Sequence, residues 1–472
     1  MIRTRIAPSP TGEDLHIGNL YTAYINFIFA KKNTGKFIVR IEDTDRTRLV
    51  EGSEERILST LESYEIRPDE SIKIGGDFGP YRQSERLDIY KKYAQELISA
   101  KKAYYCTCSK ERLAEIREQM QAQKIVPKYD KHCLINQEKI AEKIKDGESY
   151  VIRLNVPENQ DVAFTDLIRG EVKINTSNLD DQILIKADGF PTYHMAVVVD
   201  DHLMKISHVI RAEEWISSTP KHILLYRAFG WELPIFAHLP ILRNPDKSKL
   251  SKRKNPALPD GRQVWASWYL SEGFLPEAVL NYLSLMGWSH PDEMEIFDRE
   301  EFIREFTLER VQAVGPVFDI KKLEWMNGQY LMKVQSSKFK VQILDYYKEK
   351  NLDEGIVEKS IPLVRERIKT LKEYWNIAGF LFEAPKSYDK DLTDQKELLQ
   401  KIAEKLETLD HWQADKIGKS MQELATTLGI GNSKFFMTLR IAITGHKVTP
   451  PLNESMEILG QEECIKRIKN IL

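Results

Sequence analysis

Between residues 4 and 41 the chain runs strand, loop, helix, strand, and no other stretch limits its fold so tightly. Thr4 to Ala7 reads as a strand and Pro8-Ser9-Pro10-Thr11-Gly12 as a loop. Asn19 to Lys32 reads as a helix, because Leu20, Ala23, Tyr24, Phe27 and Ala30 recur near helical spacing. Lys36 to Ile41 is a second short apolar run. Strands and helices that alternate in this way build a doubly wound α/β sheet. The junction His16-Ile17-Gly18-Asn19 opens the helix, and a helix N-terminus offers free backbone N–H groups and a positive dipole end to phosphate. Gly18 lets a ligand approach the backbone, and His16 can donate a hydrogen bond to phosphate oxygens.

A second motif, Lys249-Leu250-Ser251-Lys252-Arg253, lies far downstream on a loop with Asn244, Pro245, Asp246 and Ser248. Its lysines are point charges suited to a pyrophosphate leaving group. The two motifs together read as two halves of one ATP site. In this order they resemble those of the class I aminoacyl-tRNA synthetases, and the flanking residues resemble the glutamyl-tRNA synthetase family over nearly the whole chain.

That resemblance implies a Rossmann-like parallel-sheet catalytic domain in two halves, 1–100 and 189–255. It implies an inserted α+β domain at 101–188 that binds the acceptor stem, a helical stem-contact domain at 256–330, and an all-helical anticodon-binding domain at 331–472. The implied reaction is ATP-dependent ligation of L-glutamate to tRNA-Glu through a glutamyl-adenylate, with Mg²⁺ accompanying ATP. ATP would meet Pro8, Thr11, His16, Gly18, Asn19, Lys249, Ser251 and Lys252, with His16, Lys249 and Lys252 serving catalysis. Glutamate would meet Arg5, Ala7, Ser9, Glu42, Tyr193 and Arg211.

The residue chemistry supports these roles independently. Arg5 precedes the loop, and its planar fork can pair both oxygens of a carboxylate, as a lysine could not. Glu42 heads the acidic cluster Glu42-Asp43-Thr44-Asp45 at the carboxyl end of a strand, where parallel sheets bind ligands. It is a candidate partner for a substrate ammonium, whereas Asp43 and Asp45 also suit helix capping. Gly189 to His194 leads into Met195 to Val199, read as an apolar strand, with Asp200-Asp201-His202 at its end. Val209-Ile210-Arg211 repeats the pattern. Some relatives have Asn where this chain has Val197. His194 and His202 are expected to be packed or capping histidines.

Cys106-x-Cys108 followed by Cys133 suits a zinc site, since thiolates are strong Zn²⁺ ligands. Relatives with Cys-x-Cys and Cys-x-His carry histidine where this chain has Ile135, so Tyr129 or His132 would complete the set. Three buried free cysteines are the alternative. Cys464 reads as a core residue.

Composition sets outer bounds. The chain has 472 residues and four cysteines, too few for a disulfide framework, which fits a reducing cytoplasm. It contains no membrane-length apolar run and no leader pattern at its start. A net charge of −2 advertises no nucleic-acid partner globally, so RNA would have to meet local basic surface. A monomer is expected.

Beyond Trp268 the helical patterns dominate, as in Lys396 to Leu409 with Leu398, Leu399, Ile402, Leu406 and Leu409 on one face. The resemblance places Arg367, Arg440 and Thr449 against the anticodon, with Arg367 favouring C over G at its third position. Three residues, Glu13-Asp14-Leu15, separate Gly12 from His16 where relatives commonly have two. The stretch 256–263, with two prolines and a glycine, reads as an exposed loop. Competing readings are an enzyme that also charges tRNA-Gln and a silent tRNA-binding paralogue. Glutamine-charging relatives usually have β-barrel anticodon domains, and a shorter relative that glutamylates a modified tRNA base lacks an anticodon domain.

Overall fold

The computed structural model describes residues 1–125, 127–250 and 263–472. The strands are β1 (Arg3–Ile6), β2 (Lys36–Val39), β3 (Ala103–Cys106), β4 (Val151–Leu154), β5 (Asp161–Asp166), β6 (Gly170–Asn175), β7 (Ile183–Ile185), β8 (His208–Ala212) and β9 (Ile235–Leu239). β1 pairs with β2, and β8 with β9, in parallel. Ser207 N–H donates to the Arg3 carbonyl at 3.0 Å, which sets the start of β8 beside β1. The parallel sheet is thus assembled from both ends of the first half of the chain. β5 continues it from β9 and forms a hairpin with β6.

The helix Ile17–Lys32 crosses from β1 to β2, and Leu20, Ile25, Ile28 and Ala30 are buried against the sheet. Leu20, Ile25 and Ile28 each contribute about 1.5 to 3 kcal/mol by leaving water. The return into β2 is tight. A Cβ at Gly35 would lie 2.3 Å from the Ile2 carbonyl oxygen, so only glycine fits there. β3, β4 and β7 form a separate antiparallel sheet, with the short helix His132–Ile135 packed near β3.

Met195 to Val199, expected as a strand, lies inside the helix Tyr193–Leu203. Every residue from Met195 to Asp201 is buried, so the run has no polar face. Without a polar face the sequence carries no period that separates helix from strand. The same helix sends Asp200 and Asp201 into the core rather than leaving them at a strand end.

The chain divides into two compact units, residues 1–268 with 280–319, and residues 269–279 with 320–472. The second unit is helical. One of its cores gathers Leu398, Leu399, Ile402 and Leu406 with Met421, Leu439 and Cys464, which confirms the stripe on the helix Lys396–Glu407 and the core place of Cys464. A second gathers Phe339, Ile361, Val364 and Tyr374. None of the described helices is long and apolar enough to cross a membrane.

Candidate active site

A cavity of about 750 Å³ opens at the carboxyl ends of β1 and β8. Its lining brings together Arg5, Ala7, Pro8, Ser9, Thr11, Asn19, Glu42, Tyr193 and Arg211, residues spread over two distant stretches of sequence. Glu42 is drawn against the loop by its backbone N–H, which donates to the Pro8 carbonyl at 3.0 Å. Val197, Trp215, Lys186 and Arg46 complete parts of the wall.

Arg5 leaves the end of β1 and meets Asp201, Nε to Oδ1 at 3.1 Å and Nη2 to Oδ2 at 3.0 Å. Its Nη1 has no partner among the described residues. Arg40 joins Asp201 to Glu42, Nη1 to Oδ1 of Asp201 at 2.8 Å and Nη2 to Oε1 of Glu42 at 3.1 Å. Burial opposes the charge on Asp201, yet the guanidinium groups of Arg5 and Arg40 hold its pKa below the usual carboxylate range. Burial dominates at Glu42 and pushes its pKa up to about 7, against the pull of Arg40 and Arg5. The acid that orders Arg5 was missed in the sequence; its signal was the pair of aspartates following an apolar run, since buried carboxylates are seldom left unpaired.

Arg211, at the end of β8, donates through Nη1 to the Tyr193 hydroxyl at 3.3 Å. The Tyr193 ring lies 4.4 Å from that of Trp215. Because the Tyr193 oxygen accepts from Arg211, its own proton is available to a ligand. His194 lies 3.0 Å from buried His222, and His202 stacks on Trp231 at 3.8 Å, so both are packing histidines as expected.

His16 caps the helix Ile17–Lys32 by accepting the Gly18 N–H on Nδ1 at 3.0 Å. A Cβ at Gly18 would lie 3.1 Å from that same nitrogen. Gly18 therefore makes room for the His16 ring, a different use from the open ligand approach expected of it. With Nδ1 accepting, the neutral ring carries its proton on Nε2, which suits donation to phosphate. In the segment before His16, Asp14 is buried and accepts from Thr60 Oγ1 at 2.9 Å and from Ser267 N–H at 3.2 Å.

The stretch after the second motif returns to the first. Ile17 N–H donates to Val264 and Ala266 N–H to Leu15, both at 2.8 Å. Lys249 Nζ pairs with Glu214, a cavity-lining residue. Ser251, Lys252 and residues 256–262 of the expected loop lie outside the described residues.

In the inserted sheet, the sulfurs of Cys106, Cys108 and Cys133 lie within 4.8 Å of one another. The Tyr129 oxygen lies 3.5 Å from Cys106 Sγ and 3.3 Å from Cys108 Sγ, and it accepts the Cys133 N–H at 2.9 Å. Hydrogen bonding from Cys133 lowers the pKa of Cys106 to about 4, and the same contact raises that of Cys133. His132 is exposed and outside this group. Three thiols this close together are compatible with a zinc site, and the Tyr129 oxygen is the nearby candidate for a fourth ligand.

In the helical unit Arg367 is exposed. Arg440 Nη1 donates to Thr449 Oγ1 and, at 2.9 Å, to the Pro450 carbonyl, and Thr449 is buried.

Residues 1–325 match the family described as tRNA synthetases class I (E and Q), catalytic domain, and residues 312–472 match the anticodon binding domain family. The chain is 44% identical over 486 residues to a glutamate–tRNA ligase of Acidothermus cellulolyticus, covering 99% of this chain and 95% of that protein. It is 44% identical over 503 residues to a glutamate–tRNA ligase of Fusobacterium nucleatum, covering 100% and 97%. The crystal structure of a glutamate tRNA ligase from Elizabethkingia meningosepticum, in complex with its amino acid, matches with a TM-score of 0.87 and 38% identity, covering 100% of this chain and 99% of that one.

Proposed function

The chain belongs to the class I tRNA synthetases of the glutamate and glutamine group, and on that premise we infer how its residues divide the work of charging tRNA with glutamate. It is an ATP-dependent ligase acting on glutamate and tRNA. One observation carries the assignment of the pocket: among the charged residues that line the cavity, the buried ones are two guanidinium groups, Arg5 and Arg211, and one carboxyl, Glu42. Glutamate presents the complement, two carboxylates and one ammonium.

Arg5 takes the side-chain carboxylate with its Nη1, and Tyr193 donates its hydroxyl proton to the same group. Arg211 takes the α-carboxylate and Glu42 the ammonium. Ala7 and Ser9 supply the pocket's floor. One oxygen of the α-carboxylate attacks the α-phosphorus of ATP in line, the bond to the bridging oxygen breaks, and pyrophosphate leaves with the electron pair. A ribose hydroxyl of the tRNA then attacks the acyl carbon, its proton passes to a phosphate oxygen of the adenylate, and AMP leaves with the electron pair. Neither step requires a protein nucleophile, so positioning and electrostatics supply the catalysis.

His16 Nε2 and the loop Pro8 to Thr11 face the nucleotide, with Asn19 beside them. Lys249 and Lys252 neutralise the leaving pyrophosphate, and Ser251 joins them. Lys249 must leave Glu214 to do so, so nucleotide binding exchanges one anionic partner for another. Mg²⁺ bound to the triphosphate supplies further charge neutralisation. Cys106, Cys108, Cys133 and Tyr129 would hold one zinc, which would cross-link the inserted segment.

The inserted segment 101–188 takes the acceptor stem, 256–330 contacts the stem, and 331–472 reads the anticodon through Arg367. Arg440 and Thr449 shape the turn beside it. The protein acts in the cytoplasm as a monomer, a setting compatible with its four free cysteines. Aminoacylation assays with radiolabelled glutamate and glutamine test the reading, and efficient charging with glutamine would sink it.

A further inference from the structure

Arg211 sits inside a buried set of histidines to which the chemistry above gives no part. Its Nε donates to His238 Nε2 at 3.2 Å, Nη1 to His222 Nδ1 at 3.2 Å and to Tyr193, and Nη2 to Thr219 Oγ1 at 2.8 Å. His238 Nδ1 lies 2.6 Å from Asp166 Oδ2, and His222 Nε2 lies 3.0 Å from His194 Nδ1. His222, His238 and Asp166 are each at most 2% exposed.

Hydrogen-bond chemistry fixes the tautomers of both imidazoles that face Arg211. A guanidinium only donates, so the imidazole nitrogens facing it must present lone pairs. His238 is then neutral with its proton on Nδ1, donated to Asp166. His222 is neutral with its proton on Nε2, donated to His194. Burial and the nearby guanidinium both disfavour charging His222, which agrees.

The acceptors around Arg211 are all neutral. Arg5, by contrast, is paired with the carboxylate of Asp201. Four of the five guanidinium donors of Arg211 are thereby oriented, and the fifth, on Nη2, has no partner among the described residues. A carboxylate in place of either histidine would orient the guanidinium equally well, but it would also cancel the charge that a ligand carboxylate needs.

We propose that His222 and His238, the latter backed by Asp166, are positioning residues that aim Arg211 into the cavity with no carboxylate paired to it, reserving its charge for the α-carboxylate of glutamate. The proposal rests on the reading of Arg211 given above. It explains the use of imidazole here in terms of charge as well as shape.

The test compares isosteric pairs in the full-length protein, with separate KM values for glutamate and ATP from pyrophosphate exchange. Asparagine retains an acceptor near the Nδ1 position of His222, so His222→Asn should keep the glutamate KM within about threefold of the parent. His222→Asp should raise it by about tenfold or more while the ATP KM stays within about twofold, because the new carboxylate pairs with Arg211. Equal glutamate KM values for the folded Asn and Asp variants would overturn the proposal, since a purely structural histidine does not distinguish them. Melting curves establish folding. If His222→Asp does not fold, His238→Gln against His238→Glu makes the same comparison with the same expected ordering. An Arg211→Gln variant with an unchanged glutamate KM would instead remove the reading on which the proposal depends.

Discussion

Asp201 grips Arg5 with both carboxylate oxygens, at 3.1 and 3.0 Å, although Arg5 lies on β1 and Asp201 on the helix Tyr193–Leu203, 196 residues on. The same carboxylate takes Arg40, which reaches on to Glu42. Two residues that face the cavity are thus braced by one buried ion network. Asp201→Asn leaves buried guanidinium groups short of a negative charge, and losing one partner of such a network costs roughly 3 to 5 kcal/mol. Urea unfolding should register that loss, and the glutamate KM should rise. A variant as stable as the parent would refute the bracing role.

Glu42 predicts a pH dependence. Its carboxyl is raised to about 7 by burial, and it must be ionised to bind an ammonium. The kcat/KM for glutamate should therefore climb with pH up to about 7 and level off above, while Glu42→Gln should be weak and lack this limb. The stability effect has the opposite sign. A raised carboxyl pKa contributes stability that is full below the ordinary value of 4.5 and is lost as pH rises through about 7. Glu42→Gln should thus gain stability relative to the parent on going from about pH 5 to about pH 8. A limb that persists in the Gln variant contradicts the assignment.

The sulfur cluster predicts one zinc per chain. Cys106→Ser should abolish stoichiometric zinc in elemental analysis of the purified protein, and Tyr129→Phe should weaken retention against a chelator by about tenfold or more. Metal-free parent protein of full stability would favour three free thiols instead.

Lys249 and its partner Glu214 should separate chemistry from tRNA binding. Lys249→Ala and Lys252→Ala should each lower the activation rate by about a hundredfold, as loss of one charge-stabilising group does. Their tRNA affinity should stay within about twofold. Parallel losses in both quantities would move these lysines out of the pyrophosphate site.

The opening strand, loop and helix were legible because their periods are clean and their glycine and histidine sit at a helix start. The cavity residues Arg5, Glu42, Tyr193 and Arg211 were legible through motif resemblance, with side-chain chemistry in agreement. Other parts left no local trace. The helix Tyr193–Leu203 is buried all around in its central stretch, and uniform burial erases the period that distinguishes a helix from a strand. Gly18 looked like an opening for ligand, but its N–H belongs to His16. The other partners of Arg211, namely His222, Thr219 and His238, come from positions that only the packed fold brings together. Pairing across such distances is a property of tertiary structure and has no local signature in the chain.

The central claim is that this cavity activates glutamate and no amide analogue. ATP–pyrophosphate exchange by the purified chain, in the presence of tRNA and with glutamate or glutamine as the amino acid, tests it most directly. The account predicts rapid exchange with glutamate and background exchange with glutamine. Comparable exchange with glutamine, or none with either amino acid, would contradict it.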